Sequence, residues 1–193
     1  MNNSSALRLA ALATALTMLG GCVPVMVAGA VGTTVMVASD RRSAGAQLDD
    51  ESIEIKVTTK ANEEFGNRIH LNVTSYNGAV LLTGEVPDQG VLSRVGAIAK
   101  DTEKVRVVHN ELVIGLLSDF SSRSNDTYIT SKVKSRMIEA NKFPPNVVKV
   151  VTERGVVYLM GIVSKEEGDA AAEIAATTAG VVRVVKFFQY PTV

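Results

Sequence analysis

A helical pattern of apolar residues runs through the segment NDTYITSKVKSRMIEANKF, near the middle of the chain. Ile129, Val133 and Met137 fall at i, i+4 and i+8, so they form one stripe along a helix. The side chain of Asp126 could accept a hydrogen bond from a free backbone N–H group, which predicts that the helix begins there. The pattern therefore indicates a helix with one face in a core.

Two apolar residues of the same segment do not belong to that stripe. Tyr128 and Ile138 lie off it, among the cations Lys132, Lys134 and Arg136. Apolar side chains on an outer helix face often pack on a neighbouring domain, and cations there often do no more than keep the face exposed to water. The alternative is contact with a third surface, such as a membrane. The pattern alone leaves both interpretations open.

The chain repeats itself at a spacing of 76 residues. The segment DESIEIKVTTKANEEF, which begins at Asp50, matches the segment that begins at Asp126. Each is followed by two β-rich runs joined by a turn with glycine, YNG and ERG, which predicts a hairpin. A second helix and a closing β-branched strand complete each copy. We therefore expect an α+β fold of two αββαβ units, each with two helices on a three-stranded sheet.

Caps and glycines recur in the two copies. Asp88 is predicted to cap the second helix of the first copy, and Ser164 and Glu167 form a capping box at the matching helix. Gly84 and Gly161 occupy the same place in the second strand of each hairpin. A strand glycine indicates a bulge or a close approach, and we expect close packing against a helix here.

The beginning of the chain has the layout of a secretory signal. Arg8 precedes the apolar run LAALATALTML, and the small residues GGC follow it. Glycines and Pro24 interrupt the apolar stretch, which favours a cleaved signal over a retained anchor helix. The predicted organisation is a signal at 1–21, a lipidated start and flexible tether at 22–46, and domains at 47–117 and 118–193.

Composition and motifs narrow the possible functions. The chain of 193 residues has 20 basic and 20 acidic residues, so no chain-wide positive field favours nucleic acid. Neither His70 nor His109 has an evident nucleophile or metal partner, and no phosphate-binding loop or spaced Cys/His set occurs. Asp49, Asp50 and Glu51 stand at a predicted helix start, where capping explains them better than acid–base chemistry. We expect no enzyme, cofactor or metal.

Cys22 is the only cysteine, so no intramolecular disulfide can form. The stretch LGGC resembles the lipobox of bacterial lipoproteins, in which the signal is cut before an acylated cysteine. The alternative is a small residue within an uncleaved helix. Each buried methylene of an acyl chain contributes about 0.8 kcal/mol, so several chains would hold the protein at a membrane. In lipoproteins Asp after the cysteine favours the inner membrane, so Val23 implies the outer membrane and its periplasmic face.

The hairpins share the pattern G-x-V-x-L-x-G-x-V, at 78–86 and 155–163. With the αββαβ order, this pattern resembles the BON domain of bacterial osmotic-shock and envelope proteins. A V-x-N-x-L element follows at 108–112, whereas the second copy has Lys-Phe-Phe at 186–188. Two copies behind a lipobox are similar to dual-BON outer-membrane lipoproteins. That resemblance implies binding of anionic phospholipids such as phosphatidylglycerol or cardiolipin, support of outer-membrane integrity, enrichment at division sites and no catalysis.

The first helices of the two copies differ in charge. Residues 50–66 carry two lysines against five acids, a net charge of −3, whereas residues 126–142 carry four basic against two acidic residues, a net charge of +2. Ser52 and Asn62 also replace the two apolar residues off the stripe. Each Lys or Arg near an anionic membrane contributes about 1 kcal/mol, and Tyr anchors at the headgroup level. The predicted lipid-binding residues lie on helix 126–141 and are Tyr128, Lys132, Val133, Lys134, Arg136 and Ile138.

A second function remains open from the sequence. Exposed sheet edges or the Phe187–Phe188 end could hold a protein partner, such as outer-membrane insertion machinery or a cell-wall enzyme. The protein would then be a periplasmic adaptor. Charge reversal on helix 126–141 separates the two hypotheses, because it abolishes vesicle binding only if lipid is the ligand.

Overall fold

The computed structural model of the protein describes residues 40–191. The predicted signal at 1–21, the acylated Cys22 and most of the tether lie outside the described residues. The first copy consists of α1 (Ala44–Phe65), β1 (His70–Tyr76), β2 (Ala79–Val86), α2 (Gln89–Lys100), β3 (Val107–Asn110) and β4 (Val113–Ile114). The second copy consists of α3 (Phe120–Ala140), β5 (Val148–Glu153), β6 (Val156–Ile162), α4 (Lys165–Ala176) and β7 (Arg183–Gln189).

The expected αββαβ order is confirmed in both copies. β1 and β2, like β5 and β6, form an antiparallel hairpin. The closing strand of each copy pairs in parallel with the second strand of its hairpin, which is therefore the central strand. In the first copy the closing strand is divided into β3 and β4, and both pair with β2.

Two hydrophobic cores lie between the helix pairs and the sheets. In the first copy Ile53 and Val57 of α1 pack with Val80 and Leu82 of β2. In the second copy the stripe of Ile129, Val133 and Met137 is buried against the sheet and α4, as its spacing predicts. Each αββαβ unit therefore has its own core.

A third apolar cluster joins the two sheets on their helix-free faces. Tyr76 and Leu81 from the first copy pack with Tyr158 and Met160 from the second. Successive strand residues point to opposite faces, so the central strands are buried on both sides. His109 and Phe187 also stack across this junction, with ring centroids 3.9 Å apart. The two copies therefore pack together as one unit.

Both first helices begin earlier than the sequence pattern predicts. α3 begins at Phe120, because the side chain of Asp119 accepts a hydrogen bond from the backbone N–H of Ser122 at 2.7 Å. α1 begins at Ala44 and is capped by Ser43. The predicted capping roles of Asp50 and Asp126 are therefore wrong.

Asp50 and Asp126 instead hold the hairpin turns. The carboxylate of Asp50 accepts hydrogen bonds from the backbone N–H groups of Asn77 at 2.6 Å and Gly78 at 2.8 Å. The carboxylate of Asp126 accepts the equivalent bonds in the second hairpin, both at 2.8 Å. The two central residues of each turn have positive φ, which is the conformation of a type I′ hairpin. Each aspartate therefore joins the second turn of a first helix to its own sheet.

Gly84 and Gly161 are needed for a close approach to the backbone where the first strand of each hairpin begins, and not for packing on an α-helix. A Cβ at Gly84 would overlap the carbonyl oxygen of His70, and one at Gly161 would overlap the carbonyl oxygen of Val147. Gly84 also has φ +121°, which strongly favours glycine. The expectation that these two glycines allow close packing against a helix is therefore wrong.

The predicted caps of both second helices are confirmed. The side chain of Asp88 accepts a hydrogen bond from the N–H of Val91, and Ser164 and Glu167 form the capping box. Among residues 40–191, none of the helices combines the length and the apolar character that a membrane crossing requires.

The folded unit extends to the first described residues. Arg41 donates hydrogen bonds to Glu167 and to the carbonyl oxygen of Ile162, although it precedes α1. Arg42 forms ion pairs with Asp40 and with the buried Asp50. Residues that the sequence assigns to the tether therefore hold the first copy to the second.

Candidate membrane-contacting helix

α3 is a helix of 21 residues with one buried stripe. At about 1.5 Å per residue it is about 30 Å long. Its buried residues are Asp126, Ile129, Val133 and Met137, so the opposite side of the helix faces solvent. This exposed side is the surface that the sequence assigns to lipid contact.

The structure places the predicted apolar contacts differently. Tyr128 is 61% exposed and Ile138 is 59% exposed, so both are accessible. Val133 is fully buried in the core of the second copy. Its prediction as a lipid-binding residue is therefore wrong, because a side chain inside the helix–sheet interface has no surface to offer.

Two of the three predicted cations have partners within the protein. Lys132 donates a hydrogen bond to the carbonyl oxygen of Ala179, and its ammonium nitrogen lies 4.6 Å from the centroid of the Tyr128 ring. Arg136 donates to the carbonyl oxygen of Ile174 at 3.0 Å and to the hydroxyl of Thr178 at 2.8 Å. These acceptors lie in or just beyond the last turn of α4, where helix carbonyls are unpaired and carry partial negative charge. Both cations therefore join α3 to α4.

Lys134 differs from its two neighbours. It is exposed, and its ammonium group has no ion pair or hydrogen bond with any residue between 40 and 191. Arg123 lies nearer the start of the same helix, and its guanidinium group has no ion pair or hydrogen bond within that range either. Both residues line a groove of about 550 Å³ between α3 and β1. These two cations are available to a ligand.

The sequence pattern did not reveal the first six residues of α3, which include the exposed Phe120. Phe120 is 79% exposed, and it precedes the position where the helix was predicted to begin. Eighteen residues, or about five helical turns, separate Phe120 from Ile138, so both lie on the same side of α3. Leu116, just before the helix, is 92% exposed. Asp119 was the available signal, since Asp is a preferred cap.

The first helix of the other copy is not as polar as the sequence comparison implied. Leu48 is 67% exposed and Ile55 is 63% exposed, although neither aligns with an apolar residue of α3. Exposed apolar residues alone therefore do not distinguish the two helices. The difference of charge between them, −3 against +2, does.

The Phe187–Phe188 end is occupied within the molecule. Phe187 stacks on His109 and packs into the cluster between the sheets. Phe188 packs against the core of the second copy. Both rings are half-buried, so only part of each ring is accessible to a protein partner.

His70 has two carboxylate neighbours that are not evident in the sequence. Glu85 Oε2 lies 2.9 Å from His70 Nδ1, and Glu153 Oε1 lies 3.8 Å from the same nitrogen. The three residues are distant in sequence and meet only because β1, β2 and β5 come together. No spacing motif could have revealed the cluster.

Comparison with known proteins agrees with the repeat. The BON domain profile matches residues 49–115 and 125–192. The chain is 38% identical over 185 residues to an outer membrane lipoprotein, DolP, of Haemophilus influenzae, covering 95% of each chain. It is 35% identical over 153 residues to a 21 kDa hemolysin of Actinobacillus pleuropneumoniae, covering 78% of this chain and 79% of the relative.

A third relative is the osmotically-inducible protein Y of Escherichia coli. The two chains are 30% identical over 149 residues, which covers 75% of this chain and 74% of the relative. The relatives are named as a lipoprotein, a hemolysin and an osmotically inducible protein, and none of these names denotes an enzyme. With two matched copies and a relative that aligns along nearly its whole length, the chain belongs to the BON domain family.

Proposed function

We propose that the protein is a lipid-anchored, non-enzymatic envelope protein whose α3 helix binds anionic phospholipid at the periplasmic face of the outer membrane. The observation that carries this proposal is the solvent-exposed part of α3, including its edge along the groove towards β1. It combines three exposed apolar residues, Phe120, Tyr128 and Ile138, with two cations that have no partner among residues 40–191. We name this set the α3 surface; its cations are Arg123 and Lys134.

The α3 surface suits a membrane for physical reasons. Cations attract an anionic headgroup layer, and each contributes about 1 kcal/mol near it. Phe120 and Ile138 can enter the boundary between headgroups and acyl chains, while Tyr128 is amphipathic and suits the headgroup level. Two cations and three apolar side chains support adhesion that is useful yet reversible.

An acyl anchor at Cys22 would strengthen this adhesion. Tethering makes the second contact intramolecular, so a weak surface acts at a high effective concentration. The name of the Haemophilus relative supports an outer-membrane location, because it describes a lipoprotein of that membrane. A role in outer-membrane integrity, with enrichment at division sites, follows as part of this proposal.

Vesicle flotation of the soluble fragment 40–193 tests the proposal. The fragment retains both cores, the cap of α1 and the ion pairs of Arg41 and Arg42. We expect it to float with vesicles that contain phosphatidylglycerol or cardiolipin and not with phosphatidylcholine vesicles. Lys134→Glu changes the charge by two units, worth about 2 kcal/mol, so affinity should fall about 30-fold.

The first copy supplies a matched control for this substitution. Lys60→Glu makes the same change at an exposed residue of α1, whose surroundings are already acidic. It should leave the affinity unchanged. Equal losses in both variants would mean that only net charge matters and would refute a specific α3 surface. Failure of the unmutated fragment to bind any anionic vesicle would refute lipid binding altogether.

A further inference from the structure

Three potential ligand atoms converge where the two copies meet, beside the groove between α3 and β1 that Arg123 and Lys134 also line. His70 begins β1 and pairs with Glu85 of β2 in the hairpin register. Glu153, at the end of β5, comes from the second copy. One nitrogen or oxygen atom from each side chain lies within 4.8 Å of the other two.

Glu85 is fully buried, and only one of its two carboxylate oxygens accepts hydrogen bonds. Its Oε2 accepts hydrogen bonds from the backbone N–H and the hydroxyl of Ser118, both at 3.2 Å, and lies 2.9 Å from His70 Nδ1. Its Oε1 is buried and has no hydrogen-bond partner among residues 40–191. The nearest cation to Oε1 is the guanidinium of Arg154 at 3.7 Å, on a half-exposed side chain. A buried carboxylate oxygen in this state is costly unless a cation neutralises it.

Glu153 places a second buried carboxylate beside the first. It is 5% exposed, and its Oε2 accepts a hydrogen bond from Asn72 at 2.7 Å. Its Oε1 is turned towards His70 Nδ1 at 3.8 Å. The buried carboxylates of Glu85 and Glu153 repel each other, and both approach the same imidazole nitrogen. A divalent cation between the carboxylates would relieve this repulsion.

We propose that His70, Glu85 and Glu153 bind one divalent transition-metal ion, with Zn²⁺ as the best match. An imidazole nitrogen with two carboxylate oxygens suits Zn²⁺, whereas Mg²⁺ and Ca²⁺ prefer oxygen ligands alone. Bonds of about 2.0–2.2 Å in a tetrahedral site place ligand atoms about 3.3 Å apart. The distances from His70 Nδ1 to Glu85 Oε2 and Glu153 Oε1, 2.9 and 3.8 Å, lie on both sides of that value. Small side-chain rotations would therefore complete the site.

The surroundings of the three ligands support a metal site. Asn72 and Ser118 hold the two carboxylates, as outer hydrogen-bond partners do in metal sites. His70 and Glu153 also line the groove between α3 and β1, which gives an ion a route in and leaves room for a water ligand. Because Glu153 belongs to the second copy, a bound ion would join the two copies directly.

Metal binding by the full chain in detergent, with no affinity tag, tests the proposal. After treatment with a chelator, the protein is dialysed against micromolar Zn²⁺ and its metal content is measured. We expect one Zn²⁺ per chain, a higher unfolding temperature with the ion, and weaker binding at acid pH because the ligands must be deprotonated. Glu85→Gln and Glu153→Gln should each weaken binding by about 100-fold or more.

The chain contains two histidines, and the second provides the control. His109→Ala removes an imidazole outside the cluster, so it should retain one Zn²⁺ per chain, whereas His70→Ala should lose it. Circular dichroism of each variant establishes that it is folded, and Glu153→Gln is the safest to read because it keeps the shape of the side chain. Absence of stoichiometric Zn²⁺ on the unmutated chain would overturn the proposal. If folded His70→Ala and Glu153→Gln retained as much Zn²⁺ as the unmutated chain, that result would overturn the proposal as well.

Discussion

α1 and α3 are equivalent helices of the two copies, and they share what is buried and differ in what is exposed. Each buries an aspartate, Asp50 or Asp126, that accepts hydrogen bonds from two N–H groups of a hairpin turn. Each also presents a stripe of apolar residues to its core. Their segments nevertheless carry net charges of −3 and +2. Packing and buried hydrogen bonds constrain the inner side, while the outer side is free to acquire a separate role.

The comparison also shows that a count of charges overstates the free charge of α3. Lys132 and Arg136 bind carbonyl groups at the end of α4, while Lys134 has no such partner among the described residues. α1 exposes Leu48 and Ile55 yet lies in acidic surroundings. An anionic membrane should therefore distinguish the helices by their available cations and not by their apolar residues.

The largest expected effect concerns the strand glycines. Gly84→Ala should lower the free energy of unfolding by about 4 kcal/mol, because it adds a clash with the His70 carbonyl to an unfavourable φ. Gly161→Ala introduces only the clash with Val147 and should cost about 2–3 kcal/mol. Urea unfolding measures both. A larger loss for Gly161→Ala would show that backbone strain does not separate the copies.

The buried aspartates should give the next largest effect. Asp50→Ala should lower the free energy of unfolding by about 3 kcal/mol and Asp126→Ala by about 2 kcal/mol. The larger loss is expected for Asp50, because it also accepts a hydrogen bond from Ser75 and forms an ion pair with Arg42. Urea titrations of both variants at pH 7 test the order, which equal losses would contradict.

Asp50 also predicts a dependence of stability on pH. Burial raises the pKa of its carboxyl, but hydrogen bonds from Gly78, Ser75, Arg42 and Asn77 outweigh burial and leave the pKa below its ordinary value of 3.8. Its stabilising contribution is therefore present above about pH 4 and is lost as pH falls through the lowered folded-state pKa. Unfolding midpoints between pH 5 and pH 2 should fall less steeply in Asp50→Asn than in the unmutated fragment.

A smaller effect separates the structural cations of α3 from the free one. Arg136→Ala should lower the free energy of unfolding by about 1 kcal/mol, since it leaves acceptors at the end of α4 without their donor. Lys134→Ala should leave it unchanged. Thermal unfolding without lipid makes the measurement. Similar destabilisation by both substitutions would contradict the division of the cations.

An effect of similar size to that of Arg136→Ala concerns the exposed apolar residues. Phe120→Ala and Tyr128→Ala should each reduce affinity for anionic vesicles about five- to tenfold, because each removes apolar area from the membrane boundary. Leu48→Ala and Ile55→Ala are the matched changes on α1 and should have no effect. Flotation across a lipid titration measures all four. Losses in the α1 variants would show that both helices meet the membrane.

Much of the fold could be predicted from the sequence, because its signals are local. The stripe of Ile129, Val133 and Met137 depends on spacing within one helix, and the turns depend on the glycines at 78 and 155. The repeat made each of these signals appear twice. The exposure of Tyr128 and Ile138 also agreed with their position off the stripe.

The roles of the polar side chains could not be predicted, because their partners are distant in the chain. Asp50 has the composition of a cap, yet its donors lie 27 and 28 residues away in a turn. Lys132 has its acceptor 47 residues away. His70 meets Glu153 only across the two copies. Periodicity determines which side of an element is buried, but only the packing of the elements decides which donor reaches which acceptor.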